Sequence, residues 1–529
     1  MASYAIAPDP VGLGPQIGQD APHNRDLSRD LGDTMSLTRR TLLQTASATA
    51  AAAWPIRGAH ADVAGVTLAG KETTITTADI STLDKRFTGN IVKPGDGPYE
   101  SVRKIWNGSF DHVRPALIAR CTSADDVAAA ITFAREHDIL TAVRAGGHSY
   151  SGQSTAEHAL MIDLQPMKNI EVDPVKKIVR CGAGVFLGEF DAAAQKYGLA
   201  TTAGVIPHTG IAGLTLGGGV GRLMRMHGMT IDNLSAVEIV TAEGHKLRAS
   251  DTENPDLFWA VRGGAGNFGV VTAFEYRLHQ VGPMVQTFAY RYPVEQIRQV
   301  IKFHFEFTAA APDNIHTSGS ISSGADGTIT ASINGTHFGT ADEAERLLAP
   351  IAKFGKALSS RVQTVSYLDV QSAGPNPAPH GMGQYSTGGY TGIDPTMVDP
   401  AADRFMDSPP SGVGVGFFAL GGAAGRVAND ATAFAHRDAL FSVSSSTSWT
   451  DPQGAGKEIG EKKMAWCRAT WASLRKFGDG GFYANLTSDS GERGVRENYR
   501  GNYERLVALK TKYDPTNFFR LNANIQPKA

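Results

Sequence analysis

Residues 139–152 read Ile-Leu-Thr-Ala-Val-Arg-Ala-Gly-Gly-His-Ser-Tyr-Ser-Gly, an apolar run that breaks into a glycine turn carrying His148. The run predicts a strand, and the turn removes side chains where backbone N–H groups can converge. Two similar clusters follow. Residues 204–221, GVIPHTGIAGLTLGGGVG, hold seven glycines, and residues 262–271, RGGAGNFGVV, hold four ahead of another strand. Successive exposed N–H groups form a nest that binds an anion such as pyrophosphate. No G-K-[ST] follows a cluster, which excludes a Walker A loop, and the strand–GxGxxG–helix order of a Rossmann site is absent. Three clusters in one region, two of them directly beside a strand, predict a large phosphorylated cofactor along the sheet edges.

Composition narrows the class. Glycine is 59 of 529 residues, about 11% against an average near 7%, yet no G-X-Y period exists and hydrophobic runs continue throughout. Collagen and low-complexity disorder are thereby excluded. Lys plus Arg is 50 and Asp plus Glu is 52, a balance that argues against nucleic acid or an anionic membrane as main partner. Cys121, Cys181 and Cys467 show no C-x-x-C spacing, so neither a disulfide framework nor a metal site is expected. Cys121 and Cys181 end apolar stretches and read as buried strand positions. Near the start, SLTRRTLL (36–43), an alanine-rich run to about Trp54 and AHA (59–61) have the layout of a twin-arginine export signal. The run is shorter than the roughly 20 apolar residues of a membrane span. A start at Met35 would give a signal of about 27 residues, within the usual range, which leaves residues 1–34 upstream. Export through the twin-arginine machinery to the periplasm or beyond is expected, without a stable membrane anchor.

From about Val113 to Leu278 strands and helices alternate. Ser123 and Asp126 predict a capping box ahead of a helix whose Val127, Ile131 and Ala134 share a face. LMIDL (160–164) reads as a strand, NIEV and KKIVRC as a hairpin, and FLGEFDAAAQKYG as a helix closed by Gly198. Beyond Gly282, FAYRYP, HTSGSISS and TITASINGTHF predict antiparallel strands, with helices near 294–309, 341–356, 456–476 and 496–512. Residues 373–425, rich in Gly and Pro, read as long loops about the substrate entrance. The expected division is 1–61 as extension and signal, 62–282 as cofactor domain, 283–478 as substrate domain, and 479–529 as a segment returning to the first.

Five ordered motifs carry a specific resemblance: VRAGGHSYSG, the 204–221 run, MTIDNLSAVEIVTAEG, DLFWAVRGGAGNFGVVT and YERLVALKTKYDPTNFFRLNANI. Together they resemble the berberine bridge enzyme-like branch of the vanillyl-alcohol oxidase flavoproteins. The resemblance implies an α+β fold: a PCMH-type FAD-binding domain of two α+β subdomains, and a substrate domain with an antiparallel sheet flanked by helices. It further implies an FAD oxidase that takes hydride from a C–H beside a hydroxyl or amine of a small organic substrate, with O2 reduced to H2O2. A dehydrogenase or oxidative cyclase with another acceptor is the alternative, and a secreted flavin-bearing binding protein is a third class.

The resemblance assigns His148 to a covalent bond with the 8α-methyl of FAD. Bicovalent relatives add a cysteine where Ile206 stands here, so a single link through His148 is expected. Cofactor contacts are carried over to Arg144, Ala145, Gly146, Gly147, Ser149, Gly204, Pro207, Gly210, Ile211, Gly213, Leu214, Gly217, Gly218, Gly221, Gly269, Val271, Tyr483, Asn485, Asn522 and Asn524, with adenine near Gly269–Val271. Ile211 matches the position over the flavin where O2 approaches. The family's Y-x-N-Y base is replaced by Leu486, in Tyr483-Ala484-Asn485-Leu486. After Ala435-His436-Arg437, where plant relatives carry Glu or Gln, only Ser444 or Ser445 is offered. Tyr483, His436, Tyr385 and Tyr390 therefore remain as candidate catalytic residues.

Overall fold

The computed structural model describes residues 62–372, 379–489 and 492–528; the twin-arginine reading and Met35 fall outside them. The first glycine turn grows from a four-stranded sheet ordered Asn90–Val92, Leu117–Arg120, Leu160–Asp163, Thr141–Arg144. Its last three strands are parallel, which demands a crossover, supplied by helix Ala124–Glu136. Val127, Ala130, Ile131 and Ala134 of that helix are fully buried, and each large side chain contributes roughly 1.5–3 kcal/mol. Only half of the expected capping box forms. Ser123 Oγ accepts the Asp126 N–H at 3.1 Å, while the Asp126 carboxylate turns to the N–H groups of Thr88 and Thr122 at 2.7 and 2.8 Å. Those donors hold its carboxyl below the usual range, although burial opposes them.

A second sheet of five antiparallel strands runs Lys246–Ser250, Leu234–Val240, Val270–Arg277, Ile178–Gly182, Ile170–Asp173. Helix Leu187–Gln195 packs near it, and Gly198 follows at φ +66°. Cys121, Cys181 and Cys467 are buried and unpaired.

The third sheet has seven antiparallel strands, ordered Ser359–Ser366, Met284–Pro293, Ile329–His337, Ile315–Ser323, Val413–Ala419, Phe441–Trp449, Gly383–Thr391. One face sets Ile315, Ile321, Ile333, Val415, Phe417 and Val443 against helices Ile297–Ala310, Val398–Met406 and Lys457–Leu474. Alternation places the other set on the opposite face. There Asn334, Ser318, Phe418, Ser442 and Tyr390 line up across the strands, and Ser332, Ser320, Gly416, Ser444 and Gly388 form the next row.

This sheet corrects the expectation for 373–425. The segment holds two strands and a helix rather than long loops. Some of its glycines serve close packing: a Cβ on Gly388 would lie 2.0 Å from the Val443 carbonyl oxygen, and one on Gly383 2.2 Å from the Trp449 ring. The last helix, Tyr503–Tyr513, and the tail meet the third glycine cluster. Lys510 Nζ donates to the carbonyls of Asn267 and Phe519 at 2.9 and 2.8 Å, and Asn267 Nδ2 donates to the Ala523 carbonyl at 3.1 Å.

Candidate active site

Arg144 ends its strand buried, and its guanidinium pairs with Asp163 at 2.7 Å while donating to the carbonyls of Val102 and Lys104. That fixes the start of the glycine turn from behind. The first two clusters then touch backbone to backbone. A Cβ on Gly146 would meet Gly210 N at 2.3 Å, and one on Gly210 would meet Gly146 N at 2.5 Å. Only two glycines allow this approach. Farther along, Gly217 receives the Asn485 side chain, whose Oδ1 would lie 2.4 Å from an added Cβ.

All three clusters open on one cavity of about 270 Å3. Ala145, Gly146, Gly147, His148, Ser149, Gly204, Gly210, Gly213, Leu214, Gly269, Val271, Tyr483, Asn485 and Asn522 line it, as does Ile206. Arg144, Pro207, Ile211, Gly217, Gly218, Gly221 and Asn524 do not line it. Ile211 is wholly buried, and Pro207 lies against Gly188. Sequence reasoning missed Gln153, Phe519 and Leu521 on the wall, and Trp106 behind His148. The two rings stack at 3.8 Å between centroids with 11° between planes. They come from distant parts of the chain, and no local pattern announces the pair.

His148 Nε2 is shielded from solvent and has no hydrogen-bond partner among the described residues. Burial first, then His208 and His380, hold its proton affinity well below that of a free imidazole. The ring is therefore neutral near pH 7 and keeps a lone pair for bond formation. Across the cavity, the Tyr483 hydroxyl accepts the Val220 N–H at 3.1 Å and Asn485 Nδ2 at 3.0 Å. Asn485 Nδ2 also reaches the Leu214 carbonyl at 3.0 Å, which pins the amide. Burial raises the Tyr483 phenol above its ordinary value; the donors from Val220, Asn485 and Gly219 pull the other way. With its acceptor capacity met by N–H groups, the neutral phenol has its own proton to give, and only the phenolate formed at higher pH has a lone pair to receive one. Leu486, in the place of the family's second phenol, is part of the wall.

The structure places the three other candidates off the cavity wall. Tyr385 and Tyr390 share strand Gly383–Thr391 but differ in parity, so they face opposite sides. The Tyr385 hydroxyl donates to Asp489 under the Arg468 guanidinium, in the helix-covered core. Burial and Asp489 push it far up. Tyr390 lies on the other side, its ring centroid 6.5 Å from that of Tyr483, but it does not line the cavity. His436 stacks on Tyr390 at 4.5 Å, and both its nitrogens are engaged, Nδ1 with Asp479 at 2.9 Å and Nε2 with the Asn498 carbonyl at 2.6 Å. Neither nitrogen is available to take a proton from a substrate. Ser444 lies on the polar face of the sheet, whereas Ser445 points into the opposite core.

A cradle of backbone from three glycine clusters, with the His148 imidazole and a buried phenol on its wall, points to a flavin-dependent redox enzyme. The comparisons agree. The sequence matches the family descriptions "FAD binding domain" over residues 115–250 and "Berberine and berberine like" over 483–526. It is 31% identical to an FAD-linked oxidoreductase of Dictyostelium discoideum, covering 83% of this chain and 95% of the relative. With (R)-6-hydroxynicotine oxidase of Paenarthrobacter nicotinovorans it shares 32% identity over 83% of this chain and 97% of the relative. The glucooligosaccharide oxidase of Acremonium strictum, described with a 6-S-cysteinyl, 8α-N1-histidyl FAD, superposes with a TM-score of 0.77 at 25% identity, covering 85% of this chain and 99% of that one. The chain belongs to the berberine bridge enzyme-like family of FAD-linked oxidoreductases.

The residues present fit FAD. The cavity runs from Gly269–Val271 to His148 and Tyr483, and the orphaned Nε2 of His148 stands on the wall where the resemblance places the covalent bond. Among the described residues, no helix is long and apolar enough to cross a membrane.

Proposed function

We propose that this enzyme is an oxidase holding FAD through a single bond from His148, with residues 62–282 and 479–529 forming the cofactor domain and 283–478 the substrate domain. FAD, when bound, supplies the hydride acceptor and the site of O2 reduction to H2O2. The chain's residues do the rest. Backbone N–H groups of the paired Gly146 and Gly210 turns receive the pyrophosphate, and the Trp106 stack fixes His148. Tyr483 takes the proton from the hydroxyl or amine of the substrate as the adjacent C–H is oxidised, and Asn485 holds its oxygen in place. The serine rows around Ser320, Ser332 and Ser444 offer neutral donors and acceptors to a small organic substrate. Ile206, lining the cavity in the cysteine's place, supports one covalent link rather than two.

The observation that carries this reading is the Trp106-stacked His148, its Nε2 without a hydrogen-bond partner among the described residues, on the wall of the glycine-lined cavity that also contains Tyr483. We further propose that residues 36–61 direct twin-arginine export, which N-terminal sequencing of exported protein tests: a mature end near Asp62 is expected, and one far from it contradicts the reading. The central test is a panel of alcohols, sugars, phenols and amines mixed anaerobically with the holoenzyme. A member of the panel bleaches the flavin, and admission of O2 restores the colour with release of H2O2. Bleaching without reoxidation by O2 makes the enzyme a dehydrogenase or cyclase, and no bleaching by any compound argues for a binding protein.

A further inference from the structure

Two imidazoles stand near His148 that the proposed reaction does not use. The His208 ring centroid lies 5.0 Å from that of His148, and the His380 centroid 4.8 Å from that of His208. The planes are tilted by 35° and 50°, so neither pair is a stack. His148 and His208 are partly buried and His380 is exposed, so the three rings step from the cavity wall to solvent. His208 belongs to the second glycine cluster, just before Gly210. The contact between Gly210 and Gly146 therefore sets its place relative to His148. His148 also stacks on the Trp106 ring, which can accept no proton.

The chemistry of bonding makes a nearby base necessary. A neutral imidazole that attacks through one nitrogen becomes a cation, because its other nitrogen still carries hydrogen. His148 sits where burial disfavours that charge, as does the proximity of two further imidazoles. Loss of the proton leaves the substituted imidazole neutral and disfavours reversal of the attachment.

We propose that His208, backed by His380, accepts the proton that His148 releases when it bonds to the flavin and conducts it to solvent. The proposal rests on the covalent reading above. In the balanced step, one C–H bond of the 8α-methyl and the N–H bond of His148 break and a C–N bond forms. Two electrons and one proton remain on the flavin, now reduced, and the second proton leaves through His208. Molecular oxygen then takes two electrons and two protons and departs as H2O2. Centroid separations of 5.0 and 4.8 Å leave room for transfer through one bridging water.

The test follows attachment, separately from turnover. Full-length apoprotein made under riboflavin limitation is mixed with FAD, and acid-stable flavin fluorescence on the denatured chain is measured against time. Wild type is expected to acquire it. His208→Ala and His208→Gln are expected to bind FAD that acid releases, with covalent incorporation slowed about 10²-fold or more, and His380→Ala to be slowed less. Added imidazole is expected to speed attachment in His208→Ala, a rescue that a merely structural role would not give. Incorporation by His208→Gln at the wild-type rate overturns the proposal. So does failure of imidazole to rescue His208→Ala while that variant still binds FAD. Should the alanine variant not retain FAD, the glutamine variant, which fills the space without basicity, decides alone; its own failure to bind FAD overturns the proposal by making His208 a binding residue. Absence of acid-stable flavin in wild type refutes the covalent reading itself, a separate outcome.

Discussion

Replacing Tyr483 by phenylalanine removes one oxygen and leaves the ring. Three donors lose their acceptor, the N–H groups of Val220 and Gly219 and Asn485 Nδ2. Asn485 keeps the Leu214 carbonyl, so the two backbone N–H groups are left unsatisfied, at a cost of about 1–3 kcal/mol each in folding. The fold survives such a loss, and flavin content is expected to be unchanged. The kinetic loss is larger, since a positioned acid–base group contributes about 10²–10⁴-fold. In anaerobic stopped-flow with a substrate from the panel, the flavin reduction rate is expected to fall by about 10²-fold or more. The pH dependence gives a second readout. Burial lifts the Tyr483 phenol above its ordinary value of 10.0, so the basic form grows as pH rises toward and beyond that value. The wild-type reduction rate is therefore expected to climb through the alkaline range, and that of Tyr483→Phe to stay flat. A variant reduced within about threefold of the wild-type rate, with the same pH profile, would refute the assignment and leave Tyr483 a packing residue.

Gly146→Ala drives a methyl to 2.3 Å from Gly210 N and 2.4 Å from its Cα; backbone cannot yield as a side chain can, so a loss of about 1–3 kcal/mol and poor FAD retention are expected, checked by chemical denaturation and by the ratio of flavin to protein absorbance. Arg437→Met strands the Asp232 carboxylate, which Arg437 grips with two nitrogens at 2.7 and 2.8 Å from across the fold; breaking so buried a pair costs about 3–5 kcal/mol, and an unchanged melting temperature would contradict the pairing. Asp191, buried on helix Leu187–Gln195, is raised by burial to about 7. A folded pKa above the unfolded one means the native state binds the extra proton, so stability falls as pH climbs from about 4 to beyond 7, by on the order of 4 kcal/mol. Asp191→Asn is expected to flatten that part of the stability profile and to be the more stable protein at pH 8, and urea melts at pH 5 and 8 check both.

What the sequence shows of this protein follows from how local each signal is. The turn at Gly146–His148 and the run at 204–221 are legible because a nest needs glycines adjacent in the chain. Their mutual contact is not, since nothing at Gly146 specifies that Gly210 will lie against it. The strand at 383–391 escaped notice because glycines at 383, 388 and 389 and serine at 386 dilute the alternation that marks a half-buried strand. At 413–417 the pattern Val-Gly-Val-Gly-Phe does alternate and carries the strand signal. The choice among Tyr385, Tyr390 and Tyr483 required orientation: parity on one strand sends Tyr385 to Asp489, and only the fold brings Tyr483 under the Val220 N–H. His436 is consumed by Asp479 and Asn498, partners that no spacing rule would have paired with it.

The central claim is that His148 bonds to the flavin. Purified protein is denatured in acid, and the chain is examined for flavin fluorescence and by intact mass. Wild type is expected to fluoresce and to be heavier by one FAD, whereas His148→Ala is expected to release all of its flavin and to weigh what its sequence gives. Flavin released from the wild-type chain, or retained by His148→Ala, would contradict the account.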